Sequence, residues 1–142
     1  MIVVDTNLLA YLFLTGPRSA QAERALRKDP VWVAPLLWRS EFRNVLAQYL
    51  RQGRLSFDDA LRIWDAARRL MAGREYEVRG WDVLDLVRQS PCSAYDCEFV
   101  ALAQSLGVPL VTVDRQILQA FPRVALSLDA FVGPVDASGG HG

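Results

Sequence analysis

The feature that most constrains the fold is the stretch of residues 1–14, in which a short apolar run stops at an aspartate. Ile2–Val4 is apolar and β-branched, which predicts a buried strand that ends at Asp5. Thr6 follows as a helix-start residue, and apolar side chains then recur at helical spacing over residues 8–13. Asp5 is therefore expected at the edge of an α/β sheet where ligands bind, and burying its carboxylate there is costly unless something pairs with it.

Length and composition narrow the range of functions. The 142 residues suit one domain with its own core, expected over residues 1–132, followed by a disordered tail over 133–142. The formal net charge is zero, so the charge of the whole chain gives no reason to expect nucleic-acid binding. Any electrostatic attraction to nucleic acid must come from local positively charged patches.

Few residues are available for zinc, disulfide or histidine chemistry. Cys92 and Cys97 are too few for a zinc site or a disulfide framework, and free thiols in a reducing cytosol are expected. The single histidine, His141, lies in the expected tail. No stretch has the length and apolarity of a membrane span, and the apolar start lacks the basic residues of a signal peptide, so we expect a cytoplasmic protein with no membrane partner.

Strand and helix patterns alternate along the chain. Apolar runs predict strands at residues 2–4, 31–34, 108–113 and 124–128, with a short extended segment at 75–78. Helical periodicity predicts helices after Asp5 and at residues 20–26, 36–52, 57–72, 81–89, 94–106 and 115–121, with Pro35 in the first turn of the third. Connections of this length suit parallel crossovers, so the predicted fold is a three-layer α/β/α sandwich with a central, mainly parallel sheet.

Four carboxylates are candidates for chemistry. Asp5 and Asp114 end apolar strands, whereas Glu41 and Asp96 lie on or beside apolar faces of helices. If both strands are parallel and central, the first pair meets at one edge of the sheet, and the second pair can reach the same place. Each residue also has a structural interpretation. Asp5 and Asp114 could cap the helices that follow them, Asp96 could complete a capping box with Ser93, and Glu41 could be a half-exposed helix residue.

Taken together, the four acids favour a metal site over four separate structural roles. Acidic groups that converge in a dry place repel one another and raise one another's pKa, unless a divalent cation neutralises them. Hard oxygen ligands without histidine or cysteine favour Mg²⁺ or Mn²⁺. Such ions commonly activate water and stabilise in-line displacement at phosphorus.

Three segments, VVDTN at the start, WRSEF in the third helix and SAYDCEFVALAQSLGVPLVTVD, together resemble the PIN-domain family over the chain up to about residue 128. Within that family the likeness is greatest to the VapC toxins of toxin–antitoxin pairs. The resemblance implies a Mg²⁺- or Mn²⁺-dependent endoribonuclease that forms a homodimer and is held inactive by a cognate antitoxin bound across hydrophobic grooves. The residues that match the family's acidic quartet are Asp5, Glu41, Asp96 and Asp114, and those that match its supporting polar positions are Asn7 and Thr112.

Contacts with RNA are harder to assign from the sequence. Arg115 is the best candidate because it adjoins Asp114, whereas Arg39 and Arg43 could bind phosphates or simply be solvated. All four tryptophans are expected in the core or at an interface, and they are Trp32, Trp38, Trp64 and Trp81. A dimer or antitoxin surface is expected on the apolar helices around Trp38 and Trp64.

Other classes of protein share some of these features. A signalling receiver would need a lysine after a late strand, but Lys28 is the only lysine, and a phosphatase with an Asp-x-Asp start would need an acid where Asn7 stands. A housekeeping RNA-processing nuclease and a non-catalytic module that keeps the PIN fold stay open as alternatives. A small gene for a DNA-binding antitoxin immediately upstream would separate a toxin from a housekeeping enzyme.

Overall fold

The computed structural model describes residues 1–134 as an α/β sandwich built on one five-stranded sheet. The strands are β1 (Ile2–Val4), β2 (Trp32–Pro35), β3 (Glu75–Tyr76), β4 (Leu110–Thr112) and β5 (Ala125–Ser127). The helices within this range are α1 (Thr6–Phe13), α2 (Ser19–Lys28), α3 (Trp38–Arg51), α4 (Phe57–Leu70), α5 (Gly80–Gln89), α6 (Ala94–Leu106), α7 (Arg115–Ala120) and α8 (Leu128–Val132).

The sheet has the strand order β3-β2-β1-β4-β5, and each neighbouring pair is parallel. β1 is central, with Val3 opposite Val33 of β2 on one side and Leu110 of β4 on the other. Every residue of β1, β2 and β4 is buried, as expected for parallel strands covered on both faces by helices. The predicted sandwich with a mainly parallel sheet is confirmed.

The second strand ends later than the sequence predicts. Pro35 was expected in the first turn of a helix, but it is the last residue of β2, and α3 begins only at Trp38. The reason is that the hydrogen bonding to β3 continues past the proline, since the Leu36 N–H donates to the Tyr76 carbonyl at 3.0 Å. A proline at the end of a strand removes no hydrogen bond from the middle of the sheet.

The helix after β5 was not predicted from the sequence. Ser127 caps α8 by accepting a hydrogen bond from the Ala130 N–H at 3.0 Å, and Leu128 and Phe131 are buried. Five residues give too little periodicity to reveal an amphipathic helix.

The tryptophans divide between the core and the surface. Trp32 and Trp38 are fully buried, and Trp64 packs on Trp38 with 5.6 Å between ring centres. Trp81 is 70% exposed, so of the two places expected for it, the core or an interface, the core is ruled out and the interface stays a prediction. An aromatic residue in the first turn of a helix can face solvent while the opposite face of that helix is buried.

Other expectations concern the thiols, the membrane and the tail. Cys92 and Cys97 are buried free thiols, as expected. Among the helices of the described range, none has the length and apolarity needed to cross a bilayer. The tail was expected over residues 133–142; Gly133 ends α8, whereas residues 135–142, which include His141, lie outside the described part of the chain.

Candidate active site

The two strand-end aspartates meet at the edge of the sheet. β1 and β4 are adjacent and parallel, so Asp5, directly after β1, lies near Asp114, two residues after β4. A cavity of about 240 Å³ opens at this edge. It is lined by Asp5, Thr6, Asn7, Glu41, Asn44, Val45, Asp96, Phe99, Asp114 and Ile117. All four predicted carboxylates therefore line a single cavity.

Asp5 is the most tightly held of the four. One carboxylate oxygen, Oδ1, accepts a hydrogen bond from the Leu8 N–H at 3.1 Å and so caps α1. The other oxygen accepts from the Thr112 hydroxyl, and Thr112 Oγ1 in turn accepts from the Asp114 N–H at 3.0 Å. Thr112 thus joins the two strand ends and fixes the orientation of Asp5. It is itself fully buried and lies behind the cavity lining.

Asp114 and Asp96 also belong to helix N-termini. Asp114 Oδ1 accepts from the Ile117 N–H at 2.9 Å and caps α7, while Asp96 lies in the first turn of α6, which Ser93 caps. The structural interpretations of Asp5 and Asp114 as helix caps are therefore correct, and both carboxylates line the cavity as well. The N-terminal ends of helices carry partial positive charge, which favours carboxylates at these positions.

Glu41 reaches the cavity from α3. Its Oε1 accepts a hydrogen bond from the Thr6 hydroxyl at 2.7 Å, which ties the first turn of α3 to the first turn of α1. Glu41 is half-buried, in agreement with its predicted place at the margin of the apolar stripe.

Burial without a counterion perturbs the acidity of this cluster. Burial raises the pKa of Asp5 to about 6, although the bonds from Thr112 and Leu8 act in the opposite direction. Burial is also the main cause of the raised pKa values of Glu41 and Asp96, to which the charges of Asp96 and Asp114, respectively, add. Within residues 1–134, no lysine or arginine lines the cavity, so nothing in it offsets the negative charge.

The donor chemistry fits a hard divalent cation. The cavity offers four carboxylates and the side-chain amides of Asn7 and Asn44, and among residues 1–134 no histidine or cysteine lines it. In the described range, no three acidic, histidine or cysteine side chains stand close enough together to hold an ion as they are placed. Hydrogen bonds from Thr112 and Thr6 hold Asp5 and Glu41, respectively.

The remaining predicted residues fall at different places. Asn7 is exposed and lines the cavity, whereas Arg115 is exposed and lies outside its lining. Arg39 is not available for phosphate, because its guanidinium binds both carboxylate oxygens of Glu75, at 2.5 and 2.7 Å. The guanidinium of Arg43 lies 5.2 Å from the ring centre of Trp64.

Sequence reasoning missed two polar residues that line the cavity, Thr6 and Asn44. Asn44 follows Glu41 by three positions, so helical spacing could have placed it on the same face of α3. Thr6 was interpreted only as a helix-start residue, and its bond to Glu41 joins residues 35 positions apart, which no local pattern reveals.

Comparison with known proteins places the chain in a family. Residues 2–125 match the model of the PIN domain. Ribonuclease VapC3 of Pyrobaculum aerophilum is 33% identical over 125 residues, covering 85% of this chain and 95% of the relative. Among solved structures, PAE2754 from Pyrobaculum aerophilum superposes with a TM-score of 0.73 at 23% identity, covering 92% of each chain. A toxin–antitoxin complex from Klebsiella pneumoniae gives 0.65 at 18% identity, covering 90% of this chain and 98% of the other. The chain therefore belongs to the PIN-domain family and has VapC ribonucleases among its relatives.

Proposed function

We propose that this protein is a metal-dependent endoribonuclease that hydrolyses RNA phosphodiester bonds, and that it is the toxin of a toxin–antitoxin pair. The observation that carries the proposal is the convergence of four carboxylates in one cavity at the carboxyl ends of the central strands, where no lysine or arginine of residues 1–134 lines the space. Its relative named as a VapC ribonuclease, matched over most of both chains, supports the same activity.

The catalytic and metal-binding residues in this proposal are Asp5, Glu41, Asp96 and Asp114, and the ion is Mg²⁺ or Mn²⁺. When bound, such an ion activates water and neutralises charge that develops on the phosphate. Other residues of the chain fix the orientation of these carboxylates. Thr112 orients Asp5 and the backbone of Asp114, Thr6 orients Glu41, and the Asn7 amide stands at the cavity wall, where it can donate a hydrogen bond to a ligand.

The raised pKa values agree with this role. A buried carboxylate with no counterion binds a proton more readily than usual, and a divalent cation competes for the same oxygens. Asp5, Glu41 and Asp96 therefore exchange protons for the cation, and activity should rise with pH as these groups lose their protons.

Cleavage of labelled structured RNA by the pure protein tests the function, with Mg²⁺, with Mn²⁺ and with EDTA. Asp96→Asn should abolish cleavage. The matched control is Asp82→Asn, since Asp82 also lies in the first turn of a helix but pairs with Arg79 at 2.9 Å, away from the cavity. Cleavage that persists in EDTA, or in the folded Asp96→Asn variant, would refute the proposal.

The partners follow from the same proposal. We expect a cognate antitoxin, in keeping with the toxin–antitoxin complex among the structural neighbours, and a homodimer, which light scattering at micromolar concentration would detect. We propose that the protein acts in the cytoplasm. Coexpression of the product of the adjacent upstream gene should suppress both toxicity and RNA cleavage. A chain that cleaves RNA but is neither toxic nor suppressed would be a housekeeping nuclease.

A further inference from the structure

A second cavity, of about 470 Å³, adjoins the carboxylate cavity. The two cavities share Asn7 and Val45 in their linings, so a single polymer strand can extend from one cavity into the other. We call this second cavity the flanking groove. Its lining includes Tyr11 of α1 and Arg18 of the loop after it, together with Tyr49 of α3 and Arg54 of the turn beyond α3.

The groove pairs two arginines with two tyrosines. The Arg54 guanidinium lies 4.2 Å from the centre of the Tyr49 ring, and that of Arg18 lies 5.9 Å from the centre of the Tyr11 ring. Each pair offers a flat surface that also carries positive charge. Nucleic-acid bases stack on both aromatic rings and guanidinium planes.

The charge of the groove is opposite to that of the carboxylate cavity. Among the described residues 1–134, no acidic side chain lines the flanking groove. Arg54 forms no ion pair with any carboxylate in the described range, and Arg18 has only a 3.8 Å contact with Asp129, whose side chain is 72% exposed. A net charge of zero for the whole chain thus conceals a local cationic surface directly beside the site.

We propose that the flanking groove binds the single-stranded RNA next to the cleaved phosphodiester, with Arg18 and Arg54 on phosphates and a base against the Arg54–Tyr49 pair. This inference rests on the proposed ribonuclease activity and names the part of the substrate that is held. An apolar protein segment would leave the two guanidinium groups without anionic partners, whereas an RNA strand supplies phosphates for both.

The test measures the affinity of a short fluorescent single-stranded RNA by anisotropy in an Asp96→Asn background, which prevents cleavage. Arg18→Gln and Arg54→Gln should each raise the Kd about tenfold and flatten the dependence of log K on log salt by about 0.7, the value for one phosphate contact on a single strand. Tyr49→Leu should weaken binding without changing the salt slope, because stacking carries no net charge.

Arg51→Gln is the matched control. Arg51 is an exposed arginine in the last turn of α3 that does not line the groove, so its loss changes the net charge equally but should leave the Kd near the parent value. Circular dichroism confirms that each variant is folded. A loss of affinity without a change in salt slope in the arginine variants would indicate a structural effect and overturn the assignment.

Two further outcomes separate this inference from the proposed function. In the first, both arginine variants have an unchanged Kd and salt slope while the wild type shows metal-dependent cleavage. This result would overturn the assignment of RNA to the groove and support the nuclease activity, and a protein segment would then be the candidate ligand of the groove. In the second, both variants bind RNA more weakly while the wild type cleaves no RNA. This result would refute the proposed nuclease activity and support the groove as an RNA-binding surface.

Discussion

The acids of the outer helices and the acids of the cavity are the same kinds of residue in opposite settings. On α4 and α5, four aspartates have side chains that are about half accessible to solvent, and each of the four pairs with an arginine three or four positions away. These pairs are Asp59–Arg62, Asp65–Arg68, Asp65–Arg69, Asp82–Arg79 and Asp85–Arg88. In the cavity, four acids are buried or half-buried, and no arginine or lysine of the described residues lines the space between them.

The difference appears in the acidity of the two groups. Hydrogen bonds from arginine lower the pKa values of Asp59 and Asp65, whereas burial raises those of Asp5, Glu41 and Asp96. The surface acids are therefore neutralised within the chain, while the cavity acids depend on protons or on a bound cation. An acid that the chain buries without a partner is the better candidate for function.

The largest expected effects come from loss of a cavity carboxylate, as in Asp5→Asn. Removal of this carboxylate should lower kcat/KM for RNA about a thousandfold, since a lost metal ligand removes several kcal/mol of transition-state stabilisation. The metal-free variant should be no less stable than the wild type at neutral pH, because the substitution also removes a buried charge. Steady-state cleavage and urea unfolding in EDTA measure the two effects separately.

A parallel loss of activity and stability in Asp5→Asn would contradict this account. It would mean that Asp5 acts mainly as the cap of α1 and as the partner of Thr112. The comparison between cavity acids and surface acids would then lose its functional meaning.

The second expected effect is on the pH dependence of stability. The pKa of Asp5 is about 6 in the folded chain and 3.8 when unperturbed, so between these values the folded state binds more protons than the unfolded state. Stability of the metal-free protein should therefore fall as the pH rises from about 4 to above 6, by about 3 kcal/mol from Asp5. The raised pKa values of Glu41 and Asp96 act in the same direction.

Urea unfolding in EDTA across this pH range measures the slope, and Asp5→Asn should flatten it. Added Mn²⁺ should restore stability more at neutral pH than at pH values near 5, because the ion and protons compete for the same carboxylates. A slope that Asp5→Asn leaves unchanged would show that other groups control it.

The third expected effect comes from Thr112→Val, which keeps the shape of the side chain and removes its hydroxyl. Asp5 would lose one hydrogen-bond donor and the Asp114 N–H its acceptor, so both carboxylates would be less well oriented. We expect kcat/KM to fall about 10- to 100-fold, the usual range for residues that orient metal ligands. Thr112→Ser, which retains the hydroxyl, should recover most of the activity, and failure of this recovery would assign the loss to packing.

Much of the site could be predicted because it depends on the order of strands. Parallel strands connected by helices place their carboxyl ends at one edge, so an acid after β1 and another after β4 had to approach each other once the two strands were neighbours. Glu41 and Asp96 could be placed because helical spacing indicates which side of a helix is buried. These inferences need only periodicity and topology.

The rest depends on contacts between residues far apart in the chain. The Thr6–Glu41 bond and the Arg39–Glu75 pair join elements whose approach is set by packing of the whole sheet. The flanking groove arises where α1 meets α3, so Tyr11 and Tyr49 give no local sign that they share a cavity. A short element such as α8 carries too few residues for a periodic signal.

The smallest expected effect comes from Asp65→Asn on α4. Asp65 accepts hydrogen bonds from Arg68 and Arg69, and all three side chains are largely in water, where ion pairs contribute little. RNA cleavage and the thermal midpoint should both stay within experimental error of the wild type, although the pKa of Asp65 is lowered by these arginines. The presence of a pKa shift therefore does not distinguish the surface acids from the cavity acids. What distinguishes them is that arginines lower the pKa at the surface, whereas burial raises it in the cavity. A clear loss of cleavage in Asp65→Asn would mean that the outer face of α4 also contacts the substrate, and the contrast between cavity and surface would no longer predict function.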